Sequence, residues 1–238
     1  MPKAKDKLIV ALDVDTRHKA IELARTLSGR IGALKVGLEL FTLAGPDFVR
    51  DLVAADHRVF LDLKFHDIPN TVGRASRRAA TLGTFMFNVH AGGGAKMMEA
   101  AAQAIQDMPE KPLVIGVTVL TSMDEEDLKA LNMPGAAKER ALGYAILAKK
   151  SGLDGVVASA REAAAIKEAC GRDFLVVTPG IRPGGSDVGD QKRVMTPGKA
   201  IAAGSDYLVV GRPITGADDP EAAASAIVNE IEEALSDL

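Results

Sequence analysis

The sequence Phe60-Leu-Asp-Leu-Lys-Phe-His-Asp-Ile-Pro-Asn70 sets two opposite charges within a run that is otherwise apolar enough for a buried β-strand. Side chains alternate along a strand, so Asp62 and Lys64 point to one side, about 7 Å apart along the chain. Neither charge is stable in a core without a partner. The stretch therefore predicts a strand whose end opens onto a polar site, with Asp67 just beyond that end in a loop.

Seven other runs share this apolar, often β-branched character, so that eight recur along the chain. They cover residues 8–13, 33–38, 59–64, 84–90, 113–120, 155–158, 174–178 and 207–211. Most are nearly continuous in apolar residues, as expected for parallel strands covered on both faces. Stretches with helical periodicity lie between them, clearest at 19–27, 136–151 and 222–235. Eight alternating units predict an α/β protein, a single (β/α)8 TIM barrel that spans residues 1–238.

The connections between the runs favour this barrel over other α/β folds. No G-x-G-x-x-G follows the first strand, which argues against a dinucleotide-binding fold. No low-complexity linker divides the chain into two domains. One additional short helix is predicted at 125–132, after the fifth strand.

Charged or hydroxylic residues stand near the C-terminal ends of most apolar runs. They are Asp13, Lys35, Asp62, Lys64, His90, Thr121, Arg182 and Arg212. In βα barrels this end of the sheet holds the active site, which several strands build together. Solvation of strand ends explains one or two such residues, but not a series at successive strands. The pattern indicates a functional site at the barrel mouth.

Asp62, Lys64 and Asp67 form a D-x-K-x-x-D pattern of carboxylate, ammonium and carboxylate. Carboxylates within about 4–6 Å of an ammonium hold it protonated, which makes the lysine an acid rather than a nucleophile. A Schiff-base role is disfavoured, because it needs a lysine that loses its proton readily. On these residues alone, a strand-end salt-bridge network without a catalytic role remains the alternative interpretation.

Composition and charge exclude several classes of partner. The formal net charge is only −3 and no long basic run occurs, so we expect neither a nucleic-acid surface nor an anionic-membrane surface. No apolar run reaches the roughly 18 residues of a membrane helix, and residues 1–7 lack the apolar segment of a signal peptide. The one cysteine, Cys170, cannot form an internal disulfide and is expected to be a packed thiol. We expect a cytoplasmic protein.

Eight short segments, in order over nearly the whole chain, resemble the bacterial orotidine 5′-phosphate decarboxylase family. They are Val10-Ala-Leu-Asp13, Leu34-Lys-Val-Gly37, Asp62-Leu-Lys-Phe-His-Asp-Ile-Pro-Asn-Thr71, Asn88-Val-His-Ala-Gly92, Val119-Leu-Thr-Ser122, Val177-Thr-Pro-Gly-Ile-Arg-Pro183, Gly189-Asp-Gln-Lys-Arg193 and Val209-Val-Gly-Arg-Pro213. A lone D-x-K-x-x-D is weak evidence, because related sugar-phosphate enzymes share it, whereas the full set is specific. The resemblance implies a cofactor-free enzyme of pyrimidine biosynthesis that converts orotidine 5′-monophosphate to uridine 5′-monophosphate (UMP) and CO₂.

The resemblance also implies a role for each matching residue. Lys64 is expected to donate the proton to C6 of the pyrimidine, and Asp62 to lie against the substrate carboxylate and hold Lys64. Lys35 and Asp67 are expected to complete a chain of alternating charges. The expected substrate-binding residues are Asp13, Lys35, Asp62, Lys64, Asp67, Thr71, Thr121, Arg182, Gln191, Gly211 and Arg212, and no metal ligand is expected.

Within this set, Asp13 and Lys35 are assigned to the ribose hydroxyls, Thr121 to the pyrimidine edge, and Arg182, Gln191, Gly211 and Arg212 to the 5′-phosphate. The barrel fold supports the last assignment, since phosphate sites lie in the loops after strands seven and eight. The segment 180–193 is rich in glycine. From the residues alone it is either a lid that closes over the ligand or an ordinary surface loop.

The family resemblance further implies a homodimer in which Asp67 and Thr71 reach the partner's site. His66 is expected in the loop after the third strand, and a structural role is favoured for His90. Two other functions stay open at this point. One is a magnesium-dependent lyase acting on a sugar phosphate in the same barrel superfamily, and the other is a noncatalytic barrel that binds UMP.

Overall fold

The computed structural model, which describes residues 3–133, 135–184 and 194–237, forms a closed barrel of eight parallel strands. The strands are β1 (Leu8–Ala11), β2 (Ala33–Gly37), β3 (Val59–Phe65), β4 (Met86–His90), β5 (Leu113–Val117), β6 (Gly155–Val157), β7 (Leu175–Thr178) and β8 (Tyr207–Val210). Each strand pairs with the next, and β1 closes the ring by pairing with β8 from Leu8–Leu208 to Val10–Val210. The predicted (β/α)8 barrel is confirmed.

Helices connect the strands on the outside of the barrel. Those in the described residues are α1 (Arg17–Thr26), α2 (Leu38–Ala54), α3 (Pro69–Ala80), α4 (Ala95–Gln103), α5 (Glu125–Ala130), α6 (Ala137–Lys150), α7 (Ala160–Cys170), α8 (Pro197–Ala202), α9 (Arg212–Thr215) and α10 (Pro220–Ser236), with 3₁₀ turns at Ala4–Lys7 and Ala91–Gly93. Thr16, Asp124 and Asp219 cap α1, α5 and α10 by accepting backbone N–H groups. The helices predicted around 19–27, 125–132, 136–151 and 222–235 are therefore confirmed.

Side-chain alternation along the strands builds two apolar layers. The inner layer fills the barrel and consists of Ile9, Ala11, Ala33, Phe60, Met86, Ile115, Val177 and Val209. The intervening residues, such as Val10, Leu34 and Leu61, pack outward against the helices in the larger core. Because the period along a strand is two residues, the residue two positions after an inner-layer residue also points inward. Asp13, Lys35, Asp62 and Asn88 are the polar residues that stand at those positions.

Most predicted strands extend past the observed ends. The first and fifth runs continue for two and three residues beyond Ala11 and Val117. Leu12 and Val119 are 0% and 5% exposed, so apolar burial continues where the hydrogen-bond ladder has ended. A run of apolar residues measures burial rather than pairing, which explains the difference.

Two smaller expectations concern the surface and the cysteine. No helix in the described part of the chain is long and apolar enough to cross a membrane. Cys170, the last residue of α7, is 2% exposed, so the prediction of a packed thiol is confirmed. Burial raises the pKa of this thiol, which makes it a poor nucleophile at neutral pH.

Candidate active site

A cavity of about 510 Å³ opens at the C-terminal ends of the strands. It brings together eight of the residues that the sequence assigned to the site. They are Asp13, Lys35, Asp62, Lys64, Thr121, Arg182, Gly211 and Arg212. Residues that lie far apart in the sequence are thus collected at one mouth, as the barrel topology requires. Glu39, in the first turn of α2, also lines the cavity and was not predicted.

Four of these side chains form a chain of alternating charges across the ends of β1, β2 and β3. The Nζ of Lys35 lies 3.0 Å from Oδ1 of Asp13 and 3.4 Å from Oδ2 of Asp62. The Nζ of Lys64 donates to Oδ1 of Asp62 at 2.7 Å. Every charge therefore has an opposite neighbour, and Asp62 joins the two lysines.

Burial makes this pairing necessary. Lys35 and Asp62 are only 7% and 9% exposed, and an unpaired charge at that depth is costly. Gly37 leaves the space that the Lys35 ammonium occupies, since a Cβ at this position would lie 2.7 Å from Nζ. The glycine of the Leu34-Lys-Val-Gly37 segment thus has a steric role that the sequence alone did not show.

The backbone at Lys64 departs from a regular strand. Its φ angle is 51°, in the left-handed region that residues with a Cβ adopt uncommonly. The register between β3 and β4 also shifts between Leu61 and Phe65, which marks a bulge. The expectation of regular alternation through Lys64 was wrong in this detail, although the side chains of Asp62 and Lys64 do meet at the mouth.

Asn88 in β4 bridges the two sides of this irregular segment. Its Oδ1 accepts the backbone N–H of Lys64 at 2.7 Å, and its Nδ2 donates to Oδ1 of Asp62 at 2.7 Å. The side chain is completely buried. Sequence reasoning gave Asn88 no role. The signal available was an amide within the apolar strand Met86-Phe-Asn-Val-His90, at a position that faces inward.

Of the predicted site residues, Asp67 and Thr71 lie away from the cavity, and Gln191 lies outside the residues that the structure describes. Asp67 is exposed, and its Oδ1 accepts the N–H of Ile68 at 2.6 Å. Within the described residues Asp67 forms no ion pair with Lys64, whose carboxylate partner is Asp62. Thr71 stands in the first turn of α3 and does not line the cavity. Gln191 lies outside the described residues, as does 185–193 of the predicted lid segment.

The two candidate histidines flank the charge chain. His66 follows the last residue of β3, as predicted, and its ring lies 5.3 Å from the ring of His90 between centroids. Burial lowers the pKa of His90, and the nearby His66 and Lys64 lower it further. His90 is therefore neutral at physiological pH.

The cationic side of the cavity lies after β7 and β8. Arg182 follows β7, where the backbone pairs at Ile181 and Met195, and its Nη1 donates to the carbonyl of Ile181 at 2.8 Å. Arg212 follows β8 after Gly211. Both arginines line the same cavity as Lys35 and Lys64, so an anion bound there is close to cations from several strand ends. In the described residues no group of three or more His, Cys, Asp or Glu side chains has the arrangement of a metal site.

Polar side chains from several strand ends converge on one cavity at the mouth of the barrel, and this arrangement defines a (β/α)8-barrel enzyme. Comparison with known proteins identifies which one. The chain belongs to the orotidine 5′-phosphate decarboxylase / HUMPS family, whose model matches residues 6–227.

Individual relatives agree with the family match. The orotidine 5′-phosphate decarboxylase of Hydrogenovibrio crunogenus is 55% identical over 94% of each chain. That of Syntrophotalea carbinolica is 52% identical over 99% of this chain and 98% of its own. The crystal structure of orotidine 5′-phosphate decarboxylase from Lactobacillus acidophilus superposes with a TM-score of 0.84 at 40% identity, covering 94% of this chain and 98% of that one.

Proposed function

We propose that this chain decarboxylates orotidine 5′-monophosphate to UMP and CO₂, without a cofactor. The observation that carries the proposal is the alternating Asp13–Lys35–Asp62–Lys64 chain in a cavity that Arg182 and Arg212 also line. A nucleotide substrate with a carboxylate at one end and a phosphate at the other matches this distribution of charge. The names of relatives more than 50% identical over nearly the whole chain support the same activity.

Lys64 is the proposed proton donor. Loss of CO₂ leaves an electron pair at C6 that no neighbouring carbonyl delocalises fully, so the developing charge must be stabilised electrostatically. The Lys64 ammonium is oriented by its 2.7 Å hydrogen bond to Asp62. The same ammonium then delivers the proton that replaces CO₂ at C6.

Asp62 is proposed to act on both the lysine and the substrate. It is anchored by Lys64, Asn88 and Lys35, so its carboxylate cannot turn away from a second carboxylate placed beside it. Repulsion between the two is relieved as CO₂ departs, which favours the transition state over the bound substrate.

The remaining residues are proposed to bind the parts of the nucleotide that do not react. Asp13 and Lys35 are assigned to the ribose and Thr121 to the pyrimidine edge. Arg182, Gln191, Arg212 and the backbone of Gly211 are assigned to the phosphate, where arginine offers forked donors. Binding energy gained at the phosphate can then orient the reacting end. We further propose that the active form is a homodimer in which Asp67 and Thr71 contribute to the partner's site.

The first test is an assay of purified protein with orotidine 5′-monophosphate, followed by the loss of the orotate absorbance, with and without a chelator. We expect turnover that the chelator does not affect. Lys64→Ala should reduce kcat by at least about a thousandfold, because it removes both the general acid and the electrostatic stabilisation.

Two outcomes would overturn this proposal. Turnover of a sugar phosphate that a chelator abolishes would indicate the magnesium-dependent lyase of the same superfamily. That reading is disfavoured because Asp13 and Asp62 already pair with lysine ammoniums. Binding of UMP by well-folded protein without any turnover would indicate a noncatalytic nucleotide-binding barrel.

A further inference from the structure

The side-chain amide of Asn88 can have only one orientation. A backbone N–H can donate but not accept, so the atom of Asn88 that faces the Lys64 N–H must be the carbonyl oxygen. The amide nitrogen then faces Oδ1 of Asp62 and donates to it. Both contacts are 2.7 Å long, and the side chain that makes them has no exposed surface.

These contacts hold the segment where the β3–β4 ladder is interrupted. The bulge between Leu61 and Phe65 leaves the Lys64 N–H without its regular position in the sheet. A left-handed backbone at a residue with a Cβ is unfavourable by itself and persists only where the surroundings over-determine it. The Asn88 carbonyl supplies the missing acceptor at Lys64, while its amide group fixes the neighbouring carboxylate.

We infer that Asn88 is a positioning residue, which locks the backbone of Lys64 and the carboxylate of Asp62 into one rigid unit. It acts through these two groups and does not line the cavity itself. Its two contacts tie the proton donor and the carboxylate to the neighbouring strand. This inference rests on the proposed function for its effect on turnover, but its effect on the geometry of Lys64 is independent of any substrate.

Asn88→Ala tests the inference through steady-state kinetics. We expect kcat for orotidine 5′-monophosphate to fall by about ten- to a hundredfold, because small displacements of a reacting group cost this much. KM should stay within about threefold, since Asn88 contacts neither the ribose nor the phosphate side of the cavity. Ser205→Ala is the matched control. It removes a buried 2.7 Å hydroxyl contact with Thr178 that has no link to the charge chain, and its kcat should equal that of the wild type.

Asn88→Asp provides a readout that a general packing defect would not produce. The new side chain can still accept the Lys64 N–H, but its second oxygen would face the Asp62 carboxylate where the amide donated. Two carboxylates at that distance are compatible only with a proton shared between them. The ratio of variant to wild-type kcat should therefore fall in a single-proton step as the pH rises between about 5 and 9.

Other titratable or charged groups surround this position on every side. They are Asp62 and Lys64 of β3, Lys35 of β2, Asp13 after β1, His90 of β4 and His66 in the loop that follows β3. All of them are present in the wild type as well. Taking the ratio of the two pH profiles removes the contribution that both proteins share and leaves the step that the new carboxylate causes in this coupled group.

Amide hydrogen exchange at Lys64 separates this inference from the proposed function. We expect the Lys64 N–H to exchange at least about tenfold faster in Asn88→Ala than in wild type or Ser205→Ala, because its buried acceptor is gone. The measurement needs no substrate and stays informative if the wild type fails to turn over orotidine 5′-monophosphate. If Asn88→Ala does not fold, the near-isosteric Asn88→Asp carries the test at low pH. Unchanged exchange in Asn88→Ala, or a flat pH ratio in Asn88→Asp, would overturn the inference.

Discussion

Gly37 illustrates how a residue without a side chain shapes the charge chain. It is the last residue of β2 and the residue before α2, and its φ of −92° is accessible to any amino acid. The reason for glycine at this position is therefore steric. A Cβ would meet the Lys35 ammonium at 2.7 Å and Oδ1 of Asp13 at 3.3 Å, so the space above Gly37 holds the Asp13–Lys35 ion pair.

Gly37→Ala should weaken the site while sparing the fold. The atom that must move is the end of a flexible lysine side chain, so we expect the free energy of unfolding to change by less than about 1 kcal/mol. Displacing Nζ lengthens its contacts with Asp13 and Asp62 but leaves the charges paired, so kcat/KM should fall by about tenfold or more while stability changes little. Urea unfolding measures the change in the free energy of unfolding, and steady-state kinetics measures the change in kcat/KM. Gly143→Ala in α6, where a Cβ meets nothing within 4 Å, is the matched control and should keep full activity. An unfolded or fully active Gly37→Ala variant would contradict this account.

At the scale of elements, the sequence predicted the order and kind of strands and helices and missed the local geometry at the ends. Apolar runs report burial, and burial follows the barrel layers closely, so all eight strands were found. The bulge at Lys64 was not predictable, because a bulge changes the local backbone and register without changing the apolar pattern of the sequence. For the same reason Asn88 had no assigned role, since its partners are a bulged N–H and a carboxylate, both on the neighbouring strand β3.

His90, the last residue of β4, makes the stability of the protein depend on pH. His90 has a pKa below its ordinary value of 6.5, because burial and neighbouring cations disfavour the imidazolium. Above pH 6.5 the imidazole is neutral in both the folded and the unfolded state. As the pH falls below 6.5, the unfolded state takes up the proton first, and the folded state loses stability until the pH passes the lowered pKa.

His90→Gln should remove this contribution. We expect the wild type to lose more unfolding free energy than the variant as the pH is lowered from 7 towards about 5, measured by urea titration at each pH. His57, whose pKa burial also lowers, adds a loss of the same sign that remains in both proteins. His18→Gln on α1, where the imidazole is 81% exposed, is the control for the substitution itself. A slope that His90→Gln leaves unchanged would show that His90 does not contribute.

At the scale of the whole molecule, the described residues of one chain supply the alternating charges as far as Lys64. The next carboxylate in the D-x-K-x-x-D pattern, Asp67, points to the loop backbone and lies outside the cavity of its own chain. Its neighbour Ile68 is 66% exposed. No pattern within one sequence specifies contacts with a second chain. The homodimer was therefore predicted from the family resemblance alone.

Mixing two inactive variants tests whether the site is shared between chains. Lys64→Ala lacks the proton donor and Asp67→Ala lacks the carboxylate proposed for the partner's site. In a heterodimer of the two, one site regains both groups and the other loses both. An equal mixture that re-equilibrates forms half heterodimers, so we expect about a quarter of the wild-type activity from a two-fold symmetric dimer.

The control distinguishes a site shared between two subunits from an Asp67→Ala subunit that its partner merely stabilises. Asp67→Ala mixed with the double variant Lys64→Ala/Asp67→Ala also forms heterodimers, but no site in them contains Asp67, and activity per Asp67→Ala subunit should stay at the level of that parent. Mass spectrometry under native conditions verifies that mixed dimers are present in both samples. If verified heterodimers of the two single variants are no more active than their parents, then Asp67 does not act across the interface. The alternating chain is in that case complete within one barrel, with Asp13 as its outer carboxylate.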